Sequence, residues 1–294
     1  PVANLAPISS RRPINTRDDS LTTHHQTNTH QILIQTTRAT TASYTCHVLL
    51  AMAAAAAIAS STKEVLPPAL GAVSEPPPLF DGTTRLYICY ICPFAQRAWV
   101  TRNCKGLQEE IKLVAINLED KPAWYKEKVY PQGTVPSLEH DGRVTGESLD
   151  LIKYIDTNFQ GPALLPQDPA KRQFADELIA YADAFTKALY SPLISQVAMS
   201  DEAVAALDKI EAALSKFSDG PFFLGQFSLV DIAYVTILER VQIYYSNLRN
   251  YEIAKDRPNL ERYTEEMNKI EAYKQTKNVP LALLDAAKRH LKIA

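Results

Sequence analysis

The chain of 294 residues predicts two folded parts: a small α/β domain over residues 79–160 and an all-α domain over 170–294. Three observations predict this. Two short runs rich in β-branched and aromatic residues flank a helix-like segment between Arg85 and Asn117. A two-residue hairpin signal, Asp141-Gly142, stands between two further short runs. From residue 170 onward strand signals nearly vanish and helical periodicities take over.

The elements follow in order. "RLYICYI" (85–91) and "EIKLVAIN" (110–117) read as strands. Between them, "PFAQRAWVTRNCKG" (93–106) predicts a helix with Pro93 in its first turn and Gly106 just past its end. Strand, helix and strand in that order make a right-handed parallel βαβ unit. A helical patch is expected over 122–129, and two short strands surround the Asp141-Gly142 turn within 134–148. "SLDLIKYIDTNF" (148–159) spaces Leu149, Ile152 and Ile155 for a helix. A turn-rich connector (160–169) leads to helices expected over 170–190, 201–218, 229–247, 259–274 and 280–292. The clearest helix start is "FSLVDIAY" (227–234). Ser228 and Asp231 stand at capping-box spacing there, with Phe227 and Ile232 placed as a hydrophobic staple.

Composition narrows the function classes. A net charge of −2 gives no pull toward nucleic acid or anionic membrane. Four cysteines in so long a chain do not form a disulfide scaffold, which points to a reducing compartment. The longest apolar run, Val48–Ala59, is shorter than the roughly 20 residues of a bilayer span, so no membrane association is expected. Residues 1–51 are rich in threonine and nearly free of acids. They read as upstream sequence carried into the translation with initiation at Met52, or as the rear of a plastid transit peptide. Residues 1–78 are thus expected to be leader and linker, with the Pro-rich Pro67–Pro78 leading into the first domain. The expected compartment is the cytoplasm, or the plastid if 1–51 belong to a transit peptide.

The chemistry turns on Cys89 and Cys92, just ahead of Pro93. With Pro93 the first helical residue, Cys92 is the helix cap, and the free amides and dipole of that turn are expected to acidify its thiol. The thiolate is the nucleophile. Three steps of extended chain span roughly 10 Å, beyond the ~7 Å at which a disulfide closes. Cys89 is therefore expected to be a packed strand residue rather than a resolving thiol. Cys104, about 18 Å along the helix, is no partner either. No second Cys/His pair stands at zinc-ligand spacing, so no metal is expected. Cys-Pro at a strand-to-helix junction resembles thioredoxin-like redox sites, and Val135-Pro136 stands where such folds carry a cis proline.

Five stretches carry a more specific resemblance: "CPFAQR" (92–97), "NLEDKPAWYKEK" (117–128), "TVPSLEHDG" (134–142), "GESLDLIKYID" (146–156) and "FFLGQFSLVDIAY" (222–234). In this order the chain resembles the cysteine-type glutathione transferases, in particular the plant lambda class, with the omega class related. The resemblance runs from Leu79 to the C-terminus and implies a thioredoxin-like N-terminal domain joined to an all-α C-terminal domain. It implies that Cys92 forms a mixed disulfide with glutathione, the co-substrate. Lys121 would meet the glycyl carboxylate, Val135 would offer its backbone to the cysteinyl part beside a cis Pro136, and Glu147 and Ser148 would hold the γ-glutamyl end. Phe94 would lie along the peptide. The implied activity is glutathione-dependent thiol transfer and reduction of small glutathionylated or oxidised substrates, extending to dehydroascorbate. A non-catalytic carrier of hydrophobic or flavonoid-like ligands on the same fold is the alternative. A monomer is expected from the family, with a dimer left open. The acceptor cavity is expected between the two domains, with Tyr181, Phe185 and Tyr190 as candidate walls.

Overall fold

A computed structural model describes residues 64–291. Cys46, the run Val48–Ala59 and the leader over 1–51 lie outside the described residues. Strand β1 (Thr84–Ile88) is followed by helix α1 (Pro93–Cys104) and strand β2 (Ile111–Ala115). The hairpin of β3 (Ser137–His140) and β4 (Arg143–Thr145) then leads into α2 (Ser148–Asn158). The strands form one sheet in the order β2-β1-β3-β4. β1 and β2 are parallel, with Tyr87 opposite Val114. β3 runs antiparallel to β1, with Leu86 opposite Leu138. Asp141 and Gly142, both at positive φ, make the tight turn between β3 and β4.

The helical part contains α3 (Pro169–Ile194), α4 (Asp201–Leu214), α5 (Leu229–Arg249), α6 (Pro258–Met267), α7 (Glu271–Lys274) and α8 (Pro280–Leu291). The helical patch expected over 122–129 is present, and its last five residues, Tyr125–Val129, are π-helical. Two expectations need correction. The helix expected over 259–274 is two, because the chain turns at Asn268–Ile270, where backbone amides bond to carbonyls three or four residues back.

The second correction concerns residues 67–78, read as a linker. They lie against the sheet: Leu70 N–H donates to Ala115 O at 2.8 Å, and Asn117 N–H donates to Leu70 O at 2.9 Å. Trp124 Nε1 donates to Ser74 O at 2.8 Å. Upstream, Glu64 pairs with the buried Arg102 at 2.7 Å.

Helix α1 has no solvent face, since every residue from Ala95 to Asn103 is buried. Its Ala95, Ala98 and Trp99 pack into the core of the sheet domain, while Val100 joins the core of the helical part. Gln96 Nε2 donates to Thr276 Oγ1 at 3.0 Å, and Arg97 Nε donates to Ala233 O at 2.9 Å. These bonds lower the cost of burying Gln96 and Arg97, although Arg97 Nη2, Trp99 Nε1 and Asn103 Nδ2 are buried without a partner. The result holds the N-terminus of α1 rigidly between sheet and helices. On the other side of the interface, Ser228 and Asp231 form the expected capping box at the start of α5.

Candidate active site

Strand β1 ends at Ile88, and the chain then turns sharply. Cys92 N–H donates to Cys89 O at 3.0 Å, with Tyr90 and Ile91 at the corner. The separation of roughly 10 Å inferred from an extended chain is therefore wrong, because a hydrogen-bonded four-residue turn holds its end Cα atoms within about 7 Å. The turn is clamped from the helical part. Asn278 Nδ2 donates to Tyr90 O at 2.8 Å, and Arg240 Nη2 donates to Ile91 O at 3.2 Å.

Cys92 caps α1 with extended backbone (φ −79°, ψ 120°), as the Cys-Pro pair predicts. It is partly exposed, and its Sγ lies 3.9 Å from Val135 O, a long donation at the outer limit of a sulfur hydrogen bond. The expected acidified thiol is not what the surroundings produce. Burial pushes the Cys92 thiol up from its ordinary value. The amides of Ala95 and Phe94, with Arg240 behind them, pull it down by less, and neighbouring Cys89 adds to the upward push. Burial wins.

Two cavities meet at Phe94. The smaller, about 410 Å³, is lined by Phe94, Thr134, Val135, Pro136, Glu147 and Ser148, together with Leu149, Asp150 and Asp183. Five of the residues singled out from sequence thus come together on one wall. The Val135–Pro136 bond is cis. Tyr125 OH donates to Thr134 O at 2.6 Å and stands 2.9 Å from Ser137 Oγ, which fixes the loop that presents Val135. Glu147 caps α2 at φ 63°, a conformation that costs a non-glycine residue energy and turns the chain sharply into Ser148. Arg97 Nη1 donates to Ser148 Oγ at 3.1 Å from below. Burial lowers the Arg97 pKa to about 10, and Asp183 opposes that shift.

The arrangement suits a zwitterionic peptide end. The free amides at the start of α2 attract a carboxylate, and Glu147, Asp150 and Asp183 surround the same space with negative charge for an ammonium group. Lys121 is not brought into this lining. It is exposed, and its Nζ donates to Gly133 O at the base of the Thr134–Val135 loop.

The larger cavity, about 590 Å³, is lined by Cys92, Phe94, Ile91 and Leu118, by Tyr190, Leu193 and Ile194 of α3, by Tyr244 of α5, and by Ala287 and His290 of α8. Tyr190 is therefore a wall, as expected. Phe185 is not: it is fully buried against Tyr234 in the helical core. Tyr181 is not either, its ring lying beneath Lys209 Nζ at 3.5 Å. The sequence reading missed Asp183, Arg97, Arg240 and the contribution of α8. Arg240 is fully buried on α5, beside Glu239 and Gln242, and no pattern in the sequence sets it apart.

Comparison with known proteins shows what the chain is similar to. The family model described as "Glutathione S-transferase, N-terminal domain" matches residues 86–163, and "Glutathione S-transferase, C-terminal domain" matches 172–266. The chain is 78% identical to "Protein IN2-1" of Zea mays over 83% of this chain and 100% of that one. It is 55% identical to "Glutathione S-transferase L3" of Arabidopsis thaliana over 76% of this chain and 94% of that one. A crystal structure of glutathione transferase Omega 3C from Trametes versicolor superposes with a TM-score of 0.58 at 25% identity, covering 67% of this chain and 90% of that one.

Proposed function

This chain belongs to the glutathione S-transferase family, and on that footing we infer that it is a lambda-type thiol transferase working through Cys92. The observation that carries the reading is the sulfur's position. Cys92 lines the apolar cavity, while its Sγ reaches toward the Val135 carbonyl on the wall of the peptide-sized one. A donor in one cavity and an acceptor in the other would both have access to that atom.

Cys92 attacks the glutathione sulfur of a glutathionylated substrate, the substrate leaves as its thiol, and Cys92 holds the glutathionyl group as a mixed disulfide. Cys92 returns to its thiol when a second glutathione takes that group away as oxidised glutathione. Val135 contributes backbone donor and acceptor groups beside Pro136. Ser148 and the first amides of α2 receive the γ-glutamyl carboxylate, Glu147 receives its amino group, and Phe94 covers the peptide. Lys121 reaches the glycyl carboxylate only after leaving Gly133. Dehydroascorbate reduction would use the same sulfur.

The large apolar cavity also favours the carrier reading, in which hydrophobic ligands bind without turnover. One experiment separates the two. Turnover of a small glutathione mixed disulfide, followed as oxidised glutathione formed, should fall to the uncatalysed rate in Cys92→Ser. Turnover equal to wild type in that variant removes the thiol-transfer reading.

A further inference from the structure

We propose that Cys89 is a resolving thiol for Cys92, closing a Cys89–Cys92 disulfide across the four-residue turn and discharging the glutathionyl group without a second glutathione. This rests on the reading of Cys92 as the acceptor of that group.

The geometry comes first. The Cys92 N–H bond to Cys89 O closes the turn, and the resulting Cα separation of at most about 7 Å overlaps the range in which disulfides form. Both cysteines are free thiols. Cys89 belongs to the apolar cluster of the sheet domain, and Cys92 packs against that same cluster. That Cys89 contributes to the upward push on Cys92 is the electrostatic mark of the same closeness.

The turn is also built to keep its shape. Both central carbonyls are held from the helical part, Tyr90 O by Asn278 and Ile91 O by Arg240. The Tyr90 hydroxyl is tied to Pro67 O, and its ring packs 5.5 Å from Trp99. A tied corner keeps its two end residues near each other while the side chains rotate. Position 95, where a dithiol helix would carry the second sulfur, is the buried Ala95. The second sulfur lies before the nucleophile instead of after it.

The step balances. Cys89 attacks Sγ of glutathionylated Cys92, the Cys89–Cys92 bond forms, and the Cys92–glutathione bond breaks. The leaving glutathione sulfur takes the proton that Cys89 gives up. Two glutathione molecules later reduce the internal disulfide, yielding two protein thiols and one oxidised glutathione. While the internal bond is closed, Cys92 is withdrawn from irreversible over-oxidation.

The test exposes the fully reduced full-length chain to a small excess of oxidised glutathione, quenches with acid and N-ethylmaleimide, and maps the peptides by mass. Wild type should pass through a glutathionyl adduct on Cys92 and end with Cys89 joined to Cys92. Cys89→Ser and Cys89→Ala should both stop at the adduct and hold it several times longer. Circular dichroism of the variants checks that they remain folded, and two differently sized replacements guard against a local packing artefact. An adduct as long-lived in wild type as in both variants overturns the proposal, as does Cys92 joined to any other cysteine. If Cys92 takes no glutathionyl group in any form, the thiol-transfer reading falls and the resolving role falls with it.

Discussion

Cys92 receives opposing instructions from its surroundings. The start of α1 and Arg240 favour its thiolate, but the walls that exclude water favour the thiol more strongly. A raised pKa leaves few thiolates at neutral pH, while each one is intrinsically more nucleophilic. The rate of glutathionyl transfer to ligand-free enzyme should therefore climb about tenfold per pH unit through neutrality, levelling only above the ordinary thiol value near 8.5. Stopped-flow transfer measured across pH checks this, and a profile already flat at neutral pH would show that the helix amides dominate. Local motifs singled out Cys92, Phe94, Val135, Pro136, Glu147 and Ser148 in the sequence, and the fold gathers them around two adjoining cavities. Arg97, Asp183 and Arg240 were not legible, because their roles depend on contacts across the domain interface. Cys89 is packed, as expected, but its separation from Cys92 was misjudged: an apolar run to Ile91 reads as strand, whereas the carbonyls of Tyr90 and Ile91 are taken up by Asn278 and Arg240 rather than by a neighbouring strand.

Among the elements, α5 has the strictest start. Asp231 is fully buried and accepts from Ser228 N–H at 2.8 Å, Ser228 Oγ–H at 2.8 Å and Phe223 N–H at 3.2 Å. Removing the carboxyl leaves all three donors without it in a site that water does not reach. Asp231→Ala should cost about 2–4 kcal/mol in urea unfolding, with Asp231→Asn costing less because one acceptor oxygen remains. A loss under about 0.5 kcal/mol in the alanine variant would mean that the cap is dispensable. Element type and order were readable because the apolar period changes visibly from strand to helix. The split at 268–270 was not, since Met267, Ile270 and Tyr273 continue an apolar spacing through the break. The docked segment 67–78 escaped notice because a single β-bridge at Leu70 leaves no periodic trace.

At the scale of the whole molecule, the candidate site is built from both the sheet domain and the helical part. Arg240 is the clearest link. It is fully buried, and its guanidinium meets Ile91 O, Gln96 Oε1, Thr236 O and Glu239 Oε2. Truncation leaves Gln96 Oε1 without its donor and Glu239 with only the more distant Lys277, at 3.7 Å, so Arg240→Ala should destabilise by about 3–5 kcal/mol. It should also slow glutathionyl transfer, because the turn carrying Cys92 loses a clamp. Arg240→Lys should rescue little, since an ammonium cannot reproduce the fork. Unfolding curves and transfer rates measured on the same samples check both effects, and full stability in the alanine variant would refute the clamp. The most direct measurement of the central claim is the intact mass of Cys89→Ala protein after exposure to oxidised glutathione, with and without Cys92→Ser. The account predicts one glutathionyl unit, mapped to the peptide bearing Cys92 and absent once that sulfur is replaced. An adduct that persists with serine at position 92, or none in either protein, would contradict it.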